Sequence, residues 1–558
     1  MGRHRRRLPV AATVDEANGG PPRPLVSWSI CIALFLASLA LRLWLFQGLV
    51  LGDDMEEFLL AQYLLGHPVD FLVSPQLQHR VFSWLPNVLA FRVFGVSETA
   101  FFLPTWILSA SLSVVAFQLL RLWKYRLLEA SAGALIVATA PFEVVLGTLR
   151  ANDLFLSWFL ALGLWAFVAL ERRPVQRGVT VAVCLWLAFY AKLWAVYALP
   201  ALGTYYVVRL ITGAEWRGLS AFVLTSVILH GAAAAFWHER FGMWLPFVAQ
   251  PGLTYPVPAK DLPDLFRLWP EMILRGSDLG TTLFGYLPFL ALGSVVVKGG
   301  GMLRTPASGA SAALRPDRWD VLLGVYIVTW CLLLNFVPQG FRFDRYYSIP
   351  RIFRYLAPLS FPLALLAAKL VLDVSRALRP VRRLGRGMLP LLAGVAIAIN
   401  LVQAVEATSP GRDYRRVLGS VVEEITRACP PKVVIAGAWL SRLMRDVYLK
   451  GSCGGQTAIV IPVGRYAGIH RARDYEQWLT EGQAEFPPGS LLMTGYFDYL
   501  YYNYDDSGFY LTGFQRPLDG RWQLVRSFGA MDPTAREPVR LWRWLPPTRP
   551  PEVLPPVN

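Results

Sequence analysis

Unbroken apolar runs, with no regular interleaving of polar residues, dominate the chain as far as Val405. Each is roughly 18–22 residues long, enough to cross about 30 Å of hydrocarbon at about 1.5 Å of helix rise per residue. The runs are Leu25–Phe46, Ala100–Leu120, Ala130–Gly147, Leu154–Leu170, Pro174–Ala191, Leu193–Leu210, Leu219–Trp237, Leu279–Val297, Val321–Val337, Ile352–Leu372 and Met388–Val405. They predict an α-helical polytopic membrane protein with about 11 transmembrane helices. Pro174–Leu210 reads as two short crossings in a tight hairpin with Lys192 at its tip. Both of its flanks are basic, so an even number of crossings has to separate them.

Past Val405 the rhythm changes. Short β-type runs appear at Val433–Ala436, Ala458–Val463, Leu491–Thr494, Trp522–Phe528 and Val539–Trp544, with a helical stretch near Trp439–Lys450 and a turn-rich piece at Gly451–Gln456. Residues from about Thr408 to Asn558 are therefore expected to form a small α/β or α+β soluble domain, closed by a disordered tail over Pro551–Asn558.

Composition agrees. Of 558 residues 54% are apolar and 16% charged, against about 25% charged in soluble domains. Lys and Arg outnumber Asp and Glu by 54 to 38, a formal charge of +16. A soluble nucleic-acid binder would share that charge but not the apolar content, and the same content excludes disorder for most of the chain. No nucleic-acid partner is expected. Much of the excess falls in alternate loops: Arg121/Lys124/Arg126, Arg172/Arg173/Arg177, Arg209/Arg217, Lys298/Arg304/Arg315/Arg318 and Arg376/Arg379/Arg382/Arg383/Arg386. These share a side with the basic residues 1–24, which include Arg3, Arg5, Arg6, Arg7 and Arg23. Positive loops stay in the cytoplasm. The N-terminus is thus expected there and, after an odd number of crossings, residues 408–558 outside. The first run is long and lacks a small-residue cleavage site, so it reads as a retained helix. Five cysteines are too few for a disulfide scaffold. Cys429 and Cys453, on the oxidising side, can form a bridge or stay two free thiols, while Cys31, Cys184 and Cys331 read as packing residues.

This topology puts three unusual loops outside. The loop 47–99 is long and amphipathic, and 238–278 carries Trp244, Phe247 and Trp269 like a segment lying in the interface. The loop 338–351 places Arg342, Arg345 and Arg351 where positive charge is normally scarce, which asks for an anionic ligand. Soluble-enzyme motifs are missing, and the six histidines show no metal-ligand spacing. Ionisable groups gather instead near one membrane face. Gly52-Asp53-Asp54-Met55-Glu56-Glu57 follows the first helix; it reads equally as a solvated helix start, where carboxylates are favoured. In the short turn Leu149-Arg150-Ala151-Asn152-Asp153 the last two residues read equally as helix caps. Lys192 reads equally as a snorkelling lysine, and Arg354-Tyr355 as an interfacial anchor. Together they suit a lipid phosphate. A carboxylate takes the proton of an attacking group while cations hold the phosphate that leaves.

Gly52-Asp53-Asp54 with Gly66-His67-Pro68, Trp84-Leu85-Pro86 and Phe94-Gly95-Val96-Ser97-Glu98 resembles the opening of the GT-C superfamily of polyprenyl-phosphate-sugar glycosyltransferases. The resemblance is to the branch of protein O-mannosyltransferases and the lipid A aminoarabinose transferase. Arg150-Ala151-Asn152-Asp153, Lys192, and Arg354-Tyr355-Leu356-Ala357-Pro358 with Pro362 continue it over roughly residues 25–405, and its specificity lies in order and topology. Asp53-Asp54 stands where that branch has Asp-Glu, Pro75-Gln76-Leu77 replaces a double proline, and Leu193 stands where glycine is common. The run from Gln78 through His79 and Arg80 to Trp84 also resembles the first loop of lipid-linked mannosyltransferases in a sister branch.

The resemblance implies that residues 25–407 form a glycosyltransferase domain. It would move a sugar from a polyprenyl-phosphate donor to a hydroxyl of a protein, lipid or glycan acceptor on the extracytoplasmic face, with inversion. Asp53 is implied as general base, with Asp54 and Asp153 orienting acceptor or sugar. Lys192, Arg354, Arg351 and Arg80 are implied on the donor phosphate, and Asn152, Arg150, His79 and Tyr355 on acceptor or sugar. No cofactor or obligatory metal is expected, since the cations stabilise the leaving phosphate; metal ligation by Asp53 and Asp54 is the alternative that chelation tests. The expected location is a bacterial plasma membrane. The alternative class is a transporter or flippase of lipid-linked sugars, for which Glu143, Arg42 and His230 would be the intramembrane groups.

Overall fold

The computed structural model describes residues 24–49, 52–68, 79–149, 152–211, 215–244, 284–302, 317–336, 353–378, 387–435, 444–455, 458–460, 486–494, 522–529 and 539–545. Along the membrane part run α1 (Pro24–Trp44), α2 (Gly52–Tyr63), α3 (Val81–Phe94), α4 (Glu98–Leu122), α5 (Leu127–Ala138), α6 (Pro141–Thr148), α7 (Asn152–Ala169), α8 (Pro174–Ala191), α9 (Leu199–Ile211), α10 (Trp216–Phe241), α11 (Leu287–Met302), α12 (Arg318–Phe336), α13 (Ala357–Leu378) and α14 (Met388–Ala428). Seven of these (α1, α4, α7, α8, α10, α13 and α14) are long and apolar enough to cross a membrane, up to eight if the bent pair α5–α6 is counted as one broken span and not as a re-entrant loop. The two members of that pair meet at 58°. Pro141 sits in the first turn of α6, and a proline there pushes the residue before it out of helical geometry.

Helix α13 is the centre of the bundle. Every residue from Ala357 to Asp373 is buried, as expected of a helix apolar on all sides. Helices α8 and α10 approach almost backbone to backbone, since a Cβ on Gly178 would lie 2.2 Å from the carbonyl oxygen of Gly218. Small residues at such crossings let membrane helices touch. Two of the basic residues expected in solvated loops, Lys298 (buried) and Arg376 (half-buried), instead make ion pairs at one end of the bundle, together with buried Lys369 of the expected span Ile352–Leu372. Lys298 reaches Asp320 and Asp373 at 2.8 Å each, Lys369 reaches Asp317 and Asp320 at 2.9 Å each, and Arg376 meets Glu129 at 2.7 Å. The hydroxyl of Tyr125 donates to Asp373 at 2.6 Å. These pairs tie α5, α11, α12 and α13 together.

The last helix departs from the sequence expectation. The last apolar run was expected to end at Val405. Yet α14 runs unbroken for 41 residues through Pro410. Proline cannot donate to the carbonyl of Glu406, and the hydroxyl of Ser409 takes that role at 2.8 Å. A five-stranded sheet follows: β1 (Lys432–Ile435), β2 (Ala458–Val460), β3 (Leu491–Thr494), β4 (Trp522–Ser527) and β5 (Arg540–Trp544), in the order β2-β1-β3-β5-β4. Strands β2, β1 and β3 are parallel, and β5 and β4 continue antiparallel with Leu492 opposite Trp542. Each expected β-run coincides with a strand. Cys429 and Cys453 are disulfide-bonded, their Cα atoms 5.4 Å apart. Of the helical stretch expected near Trp439–Lys450, Met444–Tyr448 forms one wide helical turn, and residues 436–443 lie outside the described residues. So do the N-terminal segment 1–23, the loop 238–278 beyond residue 244, the loop 338–351 and the tail Pro551–Asn558.

Candidate functional site

Antiparallel packing of α7 against α8 sets the first turn of one beside the last turn of the other. Lys192 is the first residue off α8, in extended geometry (φ −163°, ψ 132°), before the 3-10 turn Leu193–Ala198. Its Nζ lies 2.6 Å from Oδ1 of Asp153. The two are 4% and 1% exposed, so Lys192 is neither a hairpin tip in solvent nor a snorkelling side chain. Burying a charge costs several kcal/mol unless it is paired, and here each residue is the other's partner. The ammonium also stands 4.8 Å from the ring centre of Tyr355, a cation–π contact. Tyr355 in turn stacks on Trp194 at 4.4 Å and 19°, and its carbonyl accepts from Nε1 of Trp330 at 3.3 Å. Oδ2 of Asp153 and Oδ1 of Asn152 are shielded from solvent and meet no donor among the described residues.

The remaining expected residues divide. Asp53 and Asp54 lie in the first turn of α2. The chain leading into α2 is held to this end of the bundle: Gln47 donates through Nε2 to Thr148 Oγ1 at 2.7 Å, four residues before Asn152, and the amide of Leu49 donates to Glu98 at 3.3 Å. Phe58, further along α2, packs edge-on against Phe91 and Phe101. Arg354 belongs to the 3-10 turn Phe353–Leu356 that also carries Tyr355. His79 is buried and Arg80 half-buried, immediately before α3. The start of α3 meets the same helices: Phe82 packs on Trp186 at 5.1 Å and Phe159 at 6.2 Å, beside an aromatic cavity of about 320 Å³. Arg150 and Arg351 lie outside the described residues. The structure therefore brings Asp153, Lys192 and Tyr355 into contact, and sets the starts of α2 and α3 at their end of the bundle. Trp194, Tyr197 and Trp330 complete an aromatic wall that the sequence reading did not single out; the only cue was Trp194 two residues past Lys192.

A second polar cluster lies deeper. Arg42 and Glu143 are wholly buried at the α5–α6 bend. The break frees carbonyls that lipid cannot satisfy. Arg42 donates to the carbonyl of Ala138 at 2.6 Å and to Ser109 at 3.0 Å, and Asn400 to the carbonyl of Ile136 at 3.0 Å. The bend thus accounts for Arg42 and Asn400. His230 is not part of the cluster; its ring packs edge-on against Phe189 at 5.0 Å.

No protein-family model matches the sequence, and no curated protein does. Among solved structures the chain is similar to ArnT from Cupriavidus metallidurans bound to undecaprenyl phosphate, with a TM-score of 0.52 at 13% identity over 84% of this chain and 92% of that one. It is also similar to the same protein in the apo state (0.49, 12%, 84% and 92%) and to the Archaeoglobus fulgidus oligosaccharyltransferase in the apo form (0.46, 13%, 84% and 69%). The first likeness is one of fold. It is the GT-C fold that the sequence resemblance implies, a helical membrane bundle with a small sheet beyond it.

Proposed function

We propose that the protein is a membrane glycosyltransferase that takes its sugar from a polyprenyl-phosphate donor. One observation carries this reading: a buried ammonium, Lys192, on the face of Tyr355 and beside Asp153, in a fold shared with a protein crystallised with undecaprenyl phosphate. An arriving phosphate oxygen competes with Asp153 for Lys192, and Arg354, Arg351 and Arg80 add positive charge around it. Asp153, once released, accepts from a hydroxyl of the sugar or acceptor, alongside Asp54 and Asn152.

In the chemical step Asp53 removes the proton of an acceptor hydroxyl of a protein, lipid or glycan. The oxygen attacks the anomeric carbon from the face opposite the phosphate. The carbon–oxygen bond to phosphate breaks, its electron pair leaves with the polyprenyl phosphate, and the cations take up the developing charge. Configuration inverts. In this reading the site opens on the extracytoplasmic face of a bacterial plasma membrane, on the side of the sheet domain.

Purified protein supplied with a synthetic polyprenyl-phosphate sugar and candidate acceptors tests the proposal by the appearance of a new glycosidic bond. Redistribution of the donor across vesicles with no such bond would sink it in favour of a flippase. The bend at α5–α6, with Arg42 and Glu143 buried beside it, is the feature that would serve a flippase.

A further inference from the structure

Between the membrane helices and the sheet domain lies a second cavity, of about 510 Å³, that the transfer chemistry does not use. Phe46 at the end of α1, Glu98 at the start of α4, Tyr448, and Arg412, Arg415 and Arg416 of α14 line it. Three guanidinium groups face a single carboxylate in the lining. Glu98 is shared: one oxygen accepts from the Tyr448 hydroxyl at 3.2 Å and the Leu49 amide at 3.3 Å, the other from Arg415 at 3.3 Å. Among the described residues Arg416 has only an exposed carboxylate partner, Asp413 at 3.0 Å. Arg412 has no carboxylate among the described residues. Its Nη2 donates to the carbonyl of Val405 at 3.0 Å, and its Nε is shielded from solvent and meets no acceptor among the described residues.

Depth points to the ligand. Arg412 lies seven residues past Val405, about 10 Å along the helix, and its side chain folds back toward the apolar run. That is the level at which lipid headgroups lie, just beyond about 30 Å of hydrocarbon. Guanidinium groups bind phosphate oxygens through paired, charge-assisted hydrogen bonds. We infer that this pocket binds a phosphate group, carried by a lipid headgroup of the leaflet on the sheet-domain side or free in solution. The bound phosphate would clamp α1, α4 and α14 where the two parts of the molecule meet. The inference does not depend on sugar transfer, because binding is its only readout.

Native mass spectrometry of the full chain in detergent tests it, with phosphatidylglycerol as probe and a phosphate-free galactosyl diacylglycerol as control. The expected result is a preference for phosphatidylglycerol of about tenfold or more, lost when Arg412→Gln and Arg416→Gln are combined. Glu98→Gln, which removes the competing carboxylate, should strengthen binding several-fold. That opposite sign cannot come from misfolding, and unchanged thermal melting checks the double variant. Displacement of the lipid by millimolar inorganic phosphate assigns the pocket to phosphate itself, and undiminished lipid binding assigns it to the headgroup. Equal retention of the two lipids by the unaltered protein, or an undiminished preference in the double variant, overturns the inference.

Discussion

Lys192 and Asp153 cannot be altered independently. Lys192→Met leaves a carboxylate buried without its cation, which costs about 3–5 kcal/mol, whereas combining it with Asp153→Leu removes both charges. Melting temperatures in detergent should therefore fall further for the single variant than for the double, and a double-mutant cycle measures the coupling. Transfer should be lost in both. Asp53→Asn tests a different role: transfer should drop by about 10²–10⁴-fold, with melting and donor binding unchanged, and wild-type transfer would remove Asp53 as base. The sequence exposed these residues as candidates because charges are sparse in so apolar a chain. It did not expose the pairing. Asp153 and Lys192 are 39 positions apart, and only the rotation of α7 against α8 decides whether they face each other. The wall of Trp194, Tyr197 and Trp330 was hidden for the opposite reason, since tryptophan and tyrosine are common near membrane surfaces.

Secondary structure shows the same division. Apolar runs marked the membrane helices because a helix satisfies its own backbone in hydrocarbon, and short β-type runs between turns marked the five strands. Helix α14 outruns its apolar run Met388–Val405, because the serine hydroxyl of Ser409 replaces the bond that Pro410 cannot make. Nor does a string of letters reveal which glycines are contact points. Gly178 is one: its added methyl would also come within 2.9 Å of the Phe222 amide nitrogen, backbone that cannot step aside. Gly178→Ala should push α8 and α10 apart and cost about 1–3 kcal/mol by overpacking, seen as a lower melting temperature. Gly203→Ala on α9, with open space around its Cβ position, serves as the control and should melt no lower than the unaltered protein.

Bundle and sheet share one core. Tyr414, Leu418, Val421 and Ile425 of α14 belong to the same apolar cluster as α13 and strands β1 and β3. Truncation after residue 407 would remove Arg415 and Tyr448, the partners that hold Glu98. It should therefore melt lower than truncation after Ala428, which keeps the whole of α14 and with it Arg415; equal melting would show that the membrane part is indifferent to what it carries. A helix of 41 residues is about 60 Å long, so the sheet is mounted on a spar instead of hanging from a tether. Whatever docks on that sheet leans on the spar. A tilt of about 5° about its sheet end moves its far end by about 5 Å.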